Sequence, residues 1–89
     1  MSKRKAKHIN PYQVQVVSIV AQALLIDEIE VTPKSKVMED LGADSIDFVE
    51  VCMDLEEVFG ITLDDEDAGE CVTVEDLVEL VEAKMAVPA

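Results

Sequence analysis

Between residues 11 and 26 the apolar positions Val16, Val17, Val20, Leu24 and Leu25 recur at the spacing of one helix face. The start is marked in the sequence. Asn10 suits an N-cap, Pro11 suits the first helical position, Gln13 can complete a capping box, and Ile9 can staple onto Val14. Residues 27–43 hold no sustained period, and Thr32-Pro33 and Leu41-Gly42 interrupt helix. A long loop is expected there, pinned to the core by Val31, Val37, Met38 and Leu41; loops of this length are often functional. A second helix is predicted over residues 45–59, with Asp44 as N-cap and Gly60 ending it. A short turn or helix follows at residues 65–70. The last helix begins after Thr73, an N-cap with Asp76 three residues on, and Val74, Leu77, Val78, Val81 and Met85 form its apolar face. Pro88 lies past its end. No period-2 alternation persists long enough for a sheet. The pattern predicts an all-α fold, a small four-helix bundle of three main helices and one short helix, with a long loop after the first.

The second helix carries two apolar stripes. At about 100° per residue, Phe48, Val51, Cys52, Leu55 and Phe59 share one side. Ile46, Val49 and Met53 cluster nearly opposite, with Glu50 and Glu57 on the same face and Asp47 and Asp54 at its flank. A helix of a small bundle needs one stripe. A second one edged by carboxylates reads as a docking surface. Scattered surface apolars, or a loop folded over them, would give the same letters.

Charge sharpens this picture. The 89 residues hold 20 acids and seven bases, a net charge of −13. Lys3, Arg4, Lys5 and Lys7 lie in the first eight positions, which hold no acid. The remainder has 20 acids against three bases. Such a body repels nucleic-acid phosphates and anionic lipid surfaces, so no nucleic-acid or membrane partner is expected. It attracts proteins with basic patches and speeds their arrival. Residues 1–9 are read as a flexible basic tail, 10–86 as the helical domain and 87–89 as a frayed end. Aromatics are only 3% of the chain, so the core falls to Val, Leu, Ile and Met. Two cysteines, Cys52 and Cys71, are too few for a disulfide framework, and no apolar run suits a signal sequence or a membrane span. A reducing cytoplasm and a monomer are expected. Two cysteines and the single His8 are too few for a zinc site, and no metal is expected.

Ser45 follows Asp44 where the second helix begins. A serine there commonly caps the helix. The Gly-x-Ser-x-Gly elbow is absent, and His8, in the tail, is the only histidine. With three glycines there is no phosphate loop either. The chain therefore reads as something other than an enzyme.

The run Asp40-Leu41-Gly42-Ala43-Asp44-Ser45-Ile46-Asp47 resembles the attachment motif of the acyl carrier protein family, an Asp-Ser-Leu core preceded by Leu-Gly and followed by an acid. The resemblance continues through Val49-Glu50, Met53, Leu55-Glu56-Glu57, Phe59, Asp65-Glu66-Asp67-Ala68 and Thr73-Val74. It implies that Ser45, next to Asp44, accepts 4′-phosphopantetheine from coenzyme A through a phosphopantetheinyl transferase. It implies that acyl intermediates of fatty-acid or related lipid or polyketide synthesis are then carried as thioesters. Asp44, Asp47, Glu50 and Glu57 would face basic docking patches of the transferase and of acyl-processing enzymes, with Ile46, Val49 and Met53 at the centre of the contact. Phe48, Cys52, Leu55, Leu63 and Cys71 would line an acyl pocket, and are equally expected as plain core. Phe48, Cys71, Val58 and Gly69 depart from the family's usual residues.

Three rivals stay open. A peptidyl or D-alanyl carrier shares the modified serine, although Gly42-Ala43-Asp44 fits the acyl type better. A divalent-cation module would use Asp64, Glu66, Gly69 and Glu75 at positions one, three, six and twelve of a calcium loop, with Ala68 unable to ligate at position five. An adaptor would use the same surface without the arm.

Overall fold

The computed structural model describes residues 11–86. The expectations that fall on Ile9, Asn10, His8, Pro88, the basic tail and residues 87–89 lie outside them. Four helices follow in order: α1 (Pro11–Leu24), α2 (Ser45–Phe59), α3 (Asp65–Gly69) and α4 (Val74–Ala86). A single 3-10 turn, Glu28–Glu30, sits early in the long loop. The all-α expectation holds, since the described residues contain one isolated antiparallel bridge, Lys36 to Thr73, and no strand.

α1 packs against both α2 and α4, because its buried stripe is the common wall. Val16, Val20 and Ala21 of α1 meet Val51 and Leu55 of α2 and Val74, Leu77, Val78 and Val81 of α4. Fully burying one such Val or Leu stabilises the fold by roughly 1.5–3 kcal/mol relative to leaving it in water. Aliphatic side chains thus make the core. At its edge, Tyr12 meets Phe59 edge-on, ring centroids 5.8 Å apart.

Three apolar residues lie outside the core expected for them. Leu25, placed on the buried face of α1, is 91% exposed with φ +59. The helix ends one residue earlier: Leu25 N–H donates to Gln22 O at 3.3 Å and Ile26 N–H to Ala21 O at 3.0 Å. That pair of bonds is a Schellman turn, which needs a left-handed residue after the helix and rolls Leu25 out into solvent. Met38 and Met85, assigned to the core, are 46% and 40% exposed: Met38 borders the cavity beside the loop, and Met85 lies in the last turn of α4, beyond the buried stripe that ends at Val81.

The loop of residues 25–44 is held by hydrogen bonds to the start of α4. Val37 N–H donates to Val72 O (3.0 Å), Val74 N–H to Ser35 O (3.0 Å) and Glu75 N–H to Pro33 O (2.8 Å). Ser35, itself buried, accepts the Thr32 amide on its hydroxyl at 3.1 Å. Val31, Val37 and Ala43 enter the core, and Leu41 is half-buried against it. Asp40 Oδ2 accepts the Lys36 amide at 2.8 Å, and Lys36 O accepts the Asp40 and Leu41 amides. Gly42 follows at φ +78, where a side chain would be strained, and delivers the chain to Asp44. The Asp40-Leu41-Gly42 motif is therefore a built turn that aims the start of α2.

Candidate functional site

α2 starts on a reciprocal cap. Asp44 Oδ1 accepts the Asp47 amide at 2.8 Å, and Asp47 Oδ2 accepts the Asp44 amide at 3.3 Å. This settles which residue caps the helix. Asp44 does the capping, so Ser45 is the first helical residue, exposed, and its hydroxyl makes no hydrogen bond among the described residues. The amides of Ser45 and Ile46 have no intrahelical acceptor. They add their partial positive charge to that of the helix end, a favourable setting for a phosphate joined to Ser45. The residues present thus fit a phosphate-linked arm: an unengaged hydroxyl and free amides on two exposed residues.

Phe48 lies one turn beyond Ser45 on the same side of the helix. It borders a cavity of about 340 Å³ between the loop and α3, lined also by Val37, Met38, Gly69, Cys71 and Val72. Lys36 and Glu39, paired at 3.6 Å, complete much of the lining. Of the five residues put forward for an acyl pocket, Phe48 and Cys71 border this cavity. Cys52, Leu55 and Leu63 do not: Cys52 and Leu55 are buried in the bundle, and Leu63 packs half-buried on the core. Val37, Met38 and Val72 were missed, because nothing in the sequence signals that the loop folds across the end of α3.

The second stripe of α2 is open. Ile46, Val49 and Met53 are 75%, 55% and 59% exposed, and no loop among the described residues covers them. Glu50 and Glu57 beside them are exposed, with Asp47 and Asp54 half-exposed at the flank. Glu56, on another side, accepts the Leu63 amide at 2.7 Å and holds the connection to α3. Gly60, at φ +66, closes the helix with its amide on Glu56 O.

Both thiols are held protonated. Burial, then Glu56, pushes Cys52 up. Burial, then the negative charges of Asp76 and its neighbours, pushes Cys71 up to about 11. Neither is in a disulfide. α3 is tied to α4 by Lys84 Nζ on Asp67 Oδ2 at 2.9 Å, the partner that this solvent-shielded oxygen has. Residues of the suggested calcium loop form a helical turn instead. Asp64 is its N-cap, with Oδ1 accepting the Asp67 amide at 2.8 Å, and Gly69 is its last residue. Among the described residues no three His, Cys, Asp or Glu side chains converge as metal ligands.

Comparison with known proteins agrees with this geometry. The family model described as "phosphopantetheine attachment site" matches residues 14–81. A protein named acyl carrier protein from Thermotoga maritima is 44% identical over 71 residues, covering 80% of this chain and 88% of that one. Its namesake from Syntrophobacter fumaroxidans is 48% identical over 65 residues, covering 73% and 80%. That from Helicobacter pylori is 43% identical over 65 residues, covering 73% and 83%.

Proposed function

Because the chain belongs to the acyl carrier protein family, we propose that Ser45 is the hydroxyl to which a transferase joins the 4′-phosphopantetheine of coenzyme A. The observation that carries this reading is the Asp44–Asp47 cap, which leaves the Ser45 hydroxyl exposed and unengaged at a helix start. Ser45 Oγ forms the new P–O bond, the pyrophosphate bond of coenzyme A breaks, and adenosine 3′,5′-bisphosphate leaves. The serine proton goes to a base on the transferase. Once attached, the arm ends in a thiol that holds acyl groups as thioesters. The chain's own residues bind and present, and catalysis belongs to the partners; this is a carrier and not an enzyme.

The exposed face of α2 is the surface those partners read. Ile46, Val49 and Met53 supply apolar contact, and Asp44, Asp47, Glu50 and Glu57 attract basic patches. Exposed ion pairs are individually weak and screened by salt, which suits a shuttle that must leave each enzyme. The cavity beside Phe48 shelters part of the cargo. On this reading residues 10–86 are the carrier unit, working as a monomer in the cytoplasm for fatty-acid or related lipid synthesis; two free thiols suit a reducing compartment.

The test is intact mass after incubation with coenzyme A, magnesium and a broad-specificity phosphopantetheinyl transferase, with Ser45→Ala alongside. One added phosphopantetheinyl group in the parent and none in the variant is expected. A folded parent that gains nothing, or a variant that still gains it, overturns the assignment of Ser45.

A further inference from the structure

We propose that the basic segment of residues 3–7 docks on the acidic face of α2 in its own chain and competes there with the basic patches of partner enzymes. The inference rests on the docking-face reading above and adds an intramolecular occupant of that face. Three observations carry it.

The first is where the segment joins the body. Tyr12, in the first turn of α1, packs edge-on against Phe59, the last residue of α2, with centroids 5.8 Å apart. α1 therefore begins beside the last turn of α2, the turn that carries Glu56 and Glu57.

The second is charge. α2 carries Asp47, Glu50, Asp54, Glu56 and Glu57 and no base. Among the described residues no cation pairs with any of them: Lys36 is on Glu39, and Lys84 is on Asp67. The segment brings Lys3, Arg4, Lys5 and Lys7 within five positions and carries no acid.

The third is reach. Lys7 is four residues from Pro11 and Lys3 is eight, so at up to 3.6 Å per residue their backbones can lie at most about 14 and 29 Å from it. The carboxylate row from Glu57 to Asp47 is about 15 Å long at 1.5 Å per residue. A chain of that length is long enough for its cations to cover the row. A short tether holds them there at an effective concentration of order millimolar, so individually weak pairs are populated. A partner must displace them, and the displacement raises its KM without touching the chemistry.

The experiment uses the full chain and the K3Q/R4Q/K5Q/K7Q variant, which leaves the helical body intact. At low ionic strength the variant should be modified with a KM about 3–10-fold lower and unchanged kcat, and the gap should close at several hundred millimolar salt. In 15N-labelled unmodified protein, the amides of Glu50, Asp54 and Glu57 should shift between parent and variant, independently of protein concentration. A KM that rises in the variant would make the tail an aid to docking and overturn the proposal. So would an unchanged KM with unshifted α2 amides. Shifts that grow with protein concentration would move the tail onto a second copy, overturning the intramolecular contact. Absence of any mass gain in both proteins would instead strike the Ser45 reading, and the amide shifts would still report on the tail.

Discussion

Asp44 and Asp47 each hold the other's backbone amide, at 2.8 and 3.3 Å, and between them leave Ser45 exposed. Cap and charge can be separated at Asp44. Asp44→Ala loses the cap and should destabilise the fold by about 1 kcal/mol. Asp44→Asn keeps a good cap and loses the charge, so it should melt within about 0.5 kcal/mol of the parent while its transferase KM rises at low salt. Urea unfolding and modification kinetics on the two variants read this out. Equal destabilisation by Asn and Ala would mean that the carboxylate's charge, and not the cap geometry, holds the helix start.

Leu25 pays a conformational penalty with no packing return. Its φ of +59 places an L-residue in the left-handed region, and its side chain is exposed. Leu25→Gly should stabilise the protein by about 0.5–1 kcal/mol, raising Tm by several degrees for a chain of this size. A lower Tm would show that Leu25 makes contacts in solution that its exposure conceals.

The local signals were legible and the non-local ones were not. Asp44, Gly60, Thr73 and Asp76 mark helix ends through contacts three or four residues apart, and each acts there as its letter suggests. The two stripes of α2 follow from helical period alone. By contrast, the turn at Leu25 interrupts an apolar pattern that continues in the letters, so periodicity carried the face one residue too far. Met85 departs for the same reason, since period does not say where a packed face stops, whereas Met38 lies in a loop where no period applies and an apolar letter alone does not say which way it turns. The cavity was half legible. Phe48 and Leu55 share a stripe, but which of them meets a gap depends on the loop bonded to residues 72–75, pairs more than 30 positions apart with no signature in either segment.

The open stripe of α2 predicts how docking responds to charge. Glu50→Lys or Glu57→Lys should raise the transferase KM several-fold at low salt, and the effect should shrink as salt screens it. Met53→Ala should raise KM with little salt dependence, because the lost contact is apolar. Salt-independent loss in the charge variants, with retained stability, would place the docking surface elsewhere.

Cys71 should be chemically quiet although it borders the cavity. Burial and surrounding carboxylates push its thiol up to about 11. At pH 8 only about one molecule in a thousand then carries the thiolate, so alkylation by iodoacetamide should run roughly 100-fold slower than for a free cysteine. A carrier gains from this, because a quiet thiol does not draw acyl groups off a neighbouring thioester. Alkylation of Cys71 at the rate of free cysteine would remove that protection.

Asp76 gives a pH dependence whose sign is fixed by its bonds. Its Oδ2 accepts the Thr73 amide at 3.0 Å and the Val72 amide at 2.9 Å, and these hold its carboxyl below the ordinary carboxylate value. A depressed value in the folded state means that the unfolded chain takes up the proton first as acid is added. The stability Asp76 contributes is therefore full above about pH 5 and is lost as pH falls through its lowered value. Asp67, lowered chiefly by its bond from Lys84, adds in the same direction. The rest of the chain acts oppositely, since protonating a body of net charge −13 relieves repulsion. Subtracting the Asp76→Asn curve from that of the parent cancels this background to within the one charge removed. The difference in unfolding free energy, from urea melts at pH 2.5 to 7, should be largest near neutrality and shrink below about pH 4. A difference that stays flat across that range would show that the two amide bonds do not favour the ionised carboxylate, and that Asp76 serves α4 by shape alone.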